Sequence, residues 1–326
     1  MGLTVADAGD HAQTSKHWGY TPALGHMNRP PHRECTLKRL GHAMDDDGLG
    51  QVSLSRRQLL SALGAGAFGG WAVLGAAGPA SAAVAHRLPP RSDIVDRYSG
   101  VTPRYWGMYP PGSWSTFRTT TTFTANSVCL TFDACGSTNG SGYDSRLISV
   151  LRERRVPATL FINRRWARNN PEIFRRLAGD PLFEIGNHGT AHKPLSVSGR
   201  SAYGIRGTSS VGGVYDEIAG MHTWLAKYYD RRPRCFRPGT AHADEVATRI
   251  CRDMHERVVS FSVNGDFGAT ASAATVYQQF LKLRPGGIAL AHFNHPGSGT
   301  ARGLARALPV LKSRGYRFRK VSQVIP

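Results

Sequence analysis

Six residues between positions 133 and 292 have side chains that do chemistry, and each sits at or just past the end of a short apolar run. Asp133 follows the run 128–132, and His188 and His192 follow 183–186 in Gly-Asn-His-Gly-Thr-Ala-His. Arg237 closes 235–237 in Cys-Phe-Arg-Pro-Gly, Asp266 follows 258–263, and His292 closes 287–292, with His295 just beyond. Imidazoles bind borderline metals or move protons near neutral pH, carboxylates take protons or orient a histidine, and a guanidinium keeps a nearby carboxylate ionised. Singly, each residue has an ordinary reading. An Asp after a strand caps a turn, His-x-x-x-His in a loop is polar surface, and Arg-Pro is a common loop pair. It is their order and shared placement that point to one site.

The elements that must position them alternate. After the strand 128–132, Asp144 is a plausible N-cap for a helix to Arg154, with Leu147, Ile148 and Leu151 on one face. A strand over 158–162 precedes a helix over 170–177 with Pro171 at its tolerated first position. Further pairs follow: strand 183–186 and helix 214–229, strand 235–237 and helix 245–252, strand 258–263 and helix 275–281, strand 287–292 and helix 303–314, then a last strand over 316–320. Repeated strand–helix alternation predicts an α/β fold with parallel strands, close in count to a (β/α) barrel, whose active sites lie at the carboxyl ends of the strands. Residues 83–125, rich in Pro, Gly, Thr and aromatics, read as an extended lead-in, and 126–326 as a single catalytic domain.

The ordered motifs resemble those of the polysaccharide deacetylases, the NodB-like homology domain of carbohydrate esterase family 4. The family's Thr-Phe-Asp-Asp-Gly is approximated by Thr131-Phe132-Asp133-Ala134-Cys135-Gly136, and its His-Ser/Thr-x-x-His by the segment from His188 to His192. Its arginine motif is similar to Phe236-Arg237-Pro238-Gly239, its Asp-aromatic motif to Asp266-Phe267, and its Leu-x-His to Leu290-Ala291-His292. The resemblance implies a distorted (β/α) barrel and a divalent metal, zinc first and cobalt or nickel next, held by His188 and His192. It implies Asp133 as general base kept ionised by Arg237, and His292 as general acid oriented by Asp266.

One position departs from the family: Ala134 stands where the metal-binding Asp belongs, and alanine cannot ligate. Three readings stand open. A one-residue insertion brings Cys135 to the ligand place, where a thiolate would favour zinc; or Asp133 itself binds the metal; or the site is lost and the protein is a sugar-binding pseudoenzyme. Asn187, Asn264 and His295 are reserve ligands whose better reading is hydrogen-bonded support of the loops. The function implied is removal of acetyl groups from an extracytoplasmic glycan, an N-acetylated one first and acetylated xylan second. The competing classes are a non-catalytic wall-binding module and an amidohydrolase of a small non-sugar amide.

Outside this domain, Ser55-Arg56-Arg57-Gln58-Leu59-Leu60, a Gly/Ala/Leu-rich run and Pro79-Ala80-Ser81-Ala82-Ala83 resemble a twin-arginine export signal over 55–82. The expected destination is periplasm, cell wall or extracellular space. An uncleaved membrane anchor is the lesser alternative, because the glycines and alanines keep the run weakly hydrophobic. Residues 1–54 read as a polar leader, with Met27 and Met44 as starts closer to the signal.

Of the chain's 41 Lys+Arg and 22 Asp+Glu, which give a net +19, positions 83–326 hold 34 and 16. That excess suggests an anionic partner. Nucleic acid lacks a recognition motif here and conflicts with export, so an anionic cell envelope and the acetylated glycan are the expected partners, with no stable protein partner. Hydrophobic residues at 40% exclude wholesale disorder and a disulfide-stapled mini-protein. Cys129, Cys135, Cys235 and Cys251 match no zinc ribbon or redox pair; they read as buried thiols or as one or two disulfides.

Overall fold

A computed structural model describes residues 87–137 and 140–326. The segments read as a leader and an export signal, and Cys35, lie outside the described residues. Within them no helix is long and apolar enough to cross a membrane.

The chain enters through helix α1 (Arg91–Tyr98) and strand β1 (Trp106–Gly107), then forms β2 (Ser127–Ala134), α2 (Ser145–Glu153), β3 (Ala158–Ile162), α3 (Arg164–Asn169), α4 (Pro171–Gly179) and β4 (Phe183–Asn187). A small hairpin, β5 (Ser201–Ala202) and β6 (Ile205–Arg206), precedes the long helix α5 (Val211–Tyr229) and β7 (Cys235–Phe236). Next come β8 (Ala243–Asp244), α6 (Glu245–Asp253), β9 (Arg257–Val258), β10 (Val263–Asn264) and α7 (Ala273–Phe280). The chain ends in β11 (Ile288–His292), α8 (Thr300–Ser313) and β12 (Arg317–Arg319).

The central sheet has the order β10-β11-β2-β3-β4-β7-β9, with β12 also on β2, and every pairing is parallel. It curls into a half barrel, the mixed α/β architecture expected from the strand–helix alternation. Burial on both faces explains why the central strands read as unbroken apolar runs: all eight residues of β2 and all five of β3 are buried. Each fully buried Leu, Ile or Phe contributes about 1.5–3 kcal/mol, so this core fixes the strand register firmly. That register sets Asp133 opposite His292 on one side and Phe161 on the other. The chemistry therefore gathers at one end of the sheet.

Two expectations are corrected. The lead-in is not wholly extended, because α1 packs Ile94 and Tyr98, one turn apart, into a core with α5 and α6. The single strand expected over 258–263 is two short strands. Between them, Trp114 donates its backbone N–H to Val258 O and accepts that of Ser260, while the Arg237 guanidinium donates to Val259 O and Ser260 O. Those carbonyls turn toward a buried cation, so no sheet ladder forms there. Helix α3 is an element the sequence pattern did not indicate; Asn163 caps it by accepting from Arg165 N. The cap expected at Asp144 is present, its carboxylate accepting from Leu147 N. All four cysteines among the described residues are free thiols.

Candidate metal centre and active site

A cavity of about 480 Å³ opens at the carboxyl ends of the strands, lined by Asp133, Cys135, His188, His192 and His292 among others. Strand alternation explains how Cys135 reaches it. Successive side chains point to opposite faces. Asp133 faces the cavity, Ala134 is fully buried in the hydrophobic core, and Cys135, two residues past Asp133, returns to the cavity side. Gly136 then turns the chain at φ 69°, packed so closely on the start of α3 that a Cβ would collide with the Trp166 backbone.

His188 is buried, and its Nδ1 lies 2.8 Å from the Arg237 carbonyl. A carbonyl can only accept, so Nδ1 carries the proton and Nε2 presents its lone pair to the cavity. That Nε2 lies 3.8 Å from Cys135 Sγ and 3.7 Å from Asp133 Oδ2. The rings of His188 and His192 meet edge to face at 4.8 Å. Donor atoms of Cys135, His188 and His192 all lie within 4.8 Å of one another. A thiolate with two imidazoles is the three-ligand set that suits zinc and leaves a position open. Asp133 stands beside this group, committed through Oδ1 to Arg237 at 2.8 Å.

Burial by itself would raise the Cys135 thiol. The charge of His192 and hydrogen bonds from His188, His192 and His292 outweigh burial and hold the thiol well below its ordinary value. Burial opposes a charged His188, but the Asp133 and Cys135 anions overcome it and raise its affinity for a proton. Anions that favour a proton there favour a cation equally.

Arg237 is fully buried, and its guanidinium donates to Val259 O, Ser260 O, Thr131 Oγ1 and Asp133 Oδ1 over the Phe161 ring. Asp133 is thereby tuned. Burial raises it, but Arg237 first, then His188 and His292, bring it below the usual carboxylate value. Across the cavity His292 Nδ1 lies 2.9 Å from Asp266 Oδ1, while Oδ2 accepts from the His292 backbone N–H and the Thr300 hydroxyl. Burial would lower His292; the Asp266 charge and its hydrogen bond raise it well above its ordinary value.

Supporting groups hold the histidine loop. Glu217 of α5 accepts from Ala191 N and Lys193 N on either side of His192, whose backbone is left-handed at φ 60°. Gly239 packs on the His192 carbonyl where any Cβ would collide, which explains the glycine of Arg-Pro-Gly. Asn163 donates to His188 O and Gly189 O. Of the reserve residues, Asn187 accepts from Gly189 N and donates to Glu256, and Asn264 accepts from Phe267 N. Both support loops. His295 lies outside the Cys–His group. Thr131, Thr300, Glu217 and Asn163 were not singled out from sequence, because their residue types are generic and their roles arise from distant contacts. The capping position of Asn163 before α3 is the one local signal among them.

Fold and site together define the class: a parallel α/β half barrel with its polar chemistry at the carboxyl ends of the strands. Residues 120–259 match the polysaccharide deacetylase family profile. Among curated relatives, the chitooligosaccharide deacetylase of Sinorhizobium fredii is 27% identical over 213 residues, covering 61% of this chain and 92% of its own. The uncharacterized protein YlxY of Bacillus subtilis is 22% identical over 187 residues, 57% of this chain; the match spans about half of that relative, 54%. A solved CE4 family pseudoenzyme from Bacillus anthracis superposes with a TM-score of 0.54 at 21% identity, covering 66% of this chain and 69% of its own.

Proposed function

We propose that this domain is a metal-dependent deacetylase of an extracytoplasmic acetylated glycan, N-acetylated in preference to acetylated xylan, and that the chain is exported by its twin-arginine signal. The observation that carries the reading is the coexistence, in one cavity, of a Cys135–His188–His192 donor group, an Arg237-held carboxylate and an Asp266-held histidine. His188, His192 and Cys135 would hold the metal, with zinc favoured by the thiolate and cobalt or nickel as alternatives. When bound, a divalent metal supplies Lewis acidity to an acyl carbonyl and acidity to water.

The rest falls to the chain's own side chains. Asp133 Oδ2, left free by Arg237, takes the proton of the attacking water while the water oxygen bonds to the acetyl carbon. Arg237 keeps that carboxylate ionised and fixed between uses. His292 offers the substrate its Nε2, because Nδ1 is held by Asp266, and passes its proton to the leaving nitrogen as the carbon–nitrogen bond breaks. Acetate and the free amine are the products. Asp266, buried and bound to the His292 backbone as well as its ring, orients the imidazole and stabilises its cationic form.

The test is acetate release from acetylated glycan oligomers by purified protein, with and without chelator, followed by metal analysis. Release that chelator abolishes and zinc restores is expected. Glycan binding with no acetate release under any metal would instead support the wall-binding pseudoenzyme, the reading that Ala134 and the B. anthracis neighbour raise.

A further inference from the structure

Beyond the catalytic cavity, a second recess of about 230 Å³ is walled by Arg104, Trp106, Ser198, Arg200 and Asp244. Its two guanidiniums are exposed and, among the described residues, make no ion pair or side-chain hydrogen bond; Arg200 lies over the Trp106 ring at 5.7 Å. The neighbouring acids form no ion pair with them. Asp244 is buried and accepts from Val197 N and Ala247 N, and both oxygens of Glu245 accept backbone N–H groups, those of Arg104 and Tyr105. Two exposed arginines beside a half-buried tryptophan are thus placed to meet an oxyanion, the geometry that guanidinium groups read best.

A row of rings joins this recess to the catalytic cavity. Tyr203, which lines the cavity, stands at right angles to His242 with centroids 5.3 Å apart, and His242 meets Trp106 at 5.8 Å. Tyr203 occupies the two-residue turn between β5 and β6 with Gly204, and both have positive φ, 51° and 73°. Such a turn prefers Asn, Asp or Gly at its first position. A bulky tyrosine held there, 75% exposed at the cavity rim, is a poor choice for folding and a good one for contact with a ligand.

We propose that the recess is a subsite for an anionic sugar, one bearing a carboxylate or phosphate, in a glycan strand that runs over Tyr203, His242 and Trp106 while a neighbouring acetylated sugar occupies the catalytic cavity. The assignment of the neighbour rests on the deacetylase reading; the binding of the anionic sugar does not. It narrows the substrate class from any acetylated glycan to an acidic one.

The experiment measures equilibrium binding of three matched tetramers to the intact protein at low salt. One is neutral N-acetylglucosamine, one alternates N-acetylglucosamine with a carboxylated N-acetyl sugar, and one is the neutral tetramer phosphorylated at the 6-position. At least one anionic tetramer is expected to bind about fivefold to tenfold more tightly than the neutral one. Arg200→Ala and Arg104→Ala should each weaken the anionic tetramer by a larger factor than the neutral one and so reduce that preference; Tyr203→Asn should weaken all three tetramers. Amidation of the carboxylates should remove the advantage of the second tetramer if carboxylate is the group read, and the third tetramer reports on phosphate. Equal binding of all three, or a preference that both arginine variants retain, would overturn the subsite. Because binding is read without turnover, Arg-dependent preference combined with no acetate release would uphold the subsite and refute the deacetylase reading instead.

Discussion

Two histidines face the same cavity, and what lies behind each ring differs. His188 rests its Nδ1–H on a neutral backbone carbonyl, whereas His292 rests its Nδ1–H on the carboxylate of Asp266. A carbonyl fixes the ring and leaves Nε2 a neutral donor, which is what a metal needs. A buried carboxylate fixes the ring and also favours the imidazolium, which is what a proton donor needs. On the proposed function, the same residue type is divided into two roles by its partner on the far side of the ring, and the two halves of the cavity would differ as a ligand cluster differs from a proton relay.

The sharpest way to break this comparison is to remove each ring. His188→Ala should lose metal, with affinity falling by more than about 100-fold, and activity should fall with it. His292→Ala should keep its metal and lose about 10²–10⁴ in kcat. Metal content by elemental analysis beside acetate release separates the two, and loss of metal in both variants would erase the distinction.

A second substitution tests the strand geometry at the family's missing ligand. Ala134 points into the core, so Ala134→Asp should bury an unpaired carboxylate, costing about 3 kcal/mol or more and lowering Tm by about 6–12 °C without tightening metal binding. A variant that folds normally and binds metal more tightly would show that position 134, not 135, faces the ligand group.

A third sharpens the proton half. Asp266 holds the proton on His292 above its ordinary value, so the protonated acid is present at low pH and activity falls as pH rises through that raised value. Asp266→Asn removes the carboxylate, so the alkaline limb of the kcat profile should move to lower pH. An unmoved limb would mean that another group sets it.

The smallest effect is expected behind the ligand loop. Glu217→Gln loses the charge that accepts two backbone N–H groups beside His192, and should cost about 1–2 kcal/mol in denaturant unfolding while weakening metal about tenfold.

What could be read from sequence follows the range of the interactions involved. Strand β3 lies at 158–162 as its apolar run predicts, since a doubly buried strand is written in its own residues. The break between β9 and β10 was not legible, because it is made by Trp114 and by Arg237, residues distant in sequence. Helix α1 is not written in its own residues for a similar reason: only Ile94 and Tyr98 bury apolar surface from it, its ion pairs reach Asp216 and Asp253 far along the chain, and no side chain caps its start. In the site, the histidines and acids stood out because their types are chemically specific and lie at strand ends. Thr131 and Thr300 did not, since a threonine becomes a hydrogen-bond partner of Arg237 or Asp266 only after folding. Cys135 falls between. Its chemistry was visible, but choosing it over Ala134 needed the strand's pleat and the position where β2 ends.

The most direct measurement is the absorption spectrum of the protein loaded with cobalt. A sulfur ligand gives an intense near-ultraviolet thiolate-to-cobalt charge-transfer band, and His188, His192 and Cys135 acting together predict that band in the native sequence and its loss in Cys135→Ser. Cobalt bound stoichiometrically with no such band, or a spectrum that Cys135→Ser leaves unchanged, would contradict a thiolate in the metal centre.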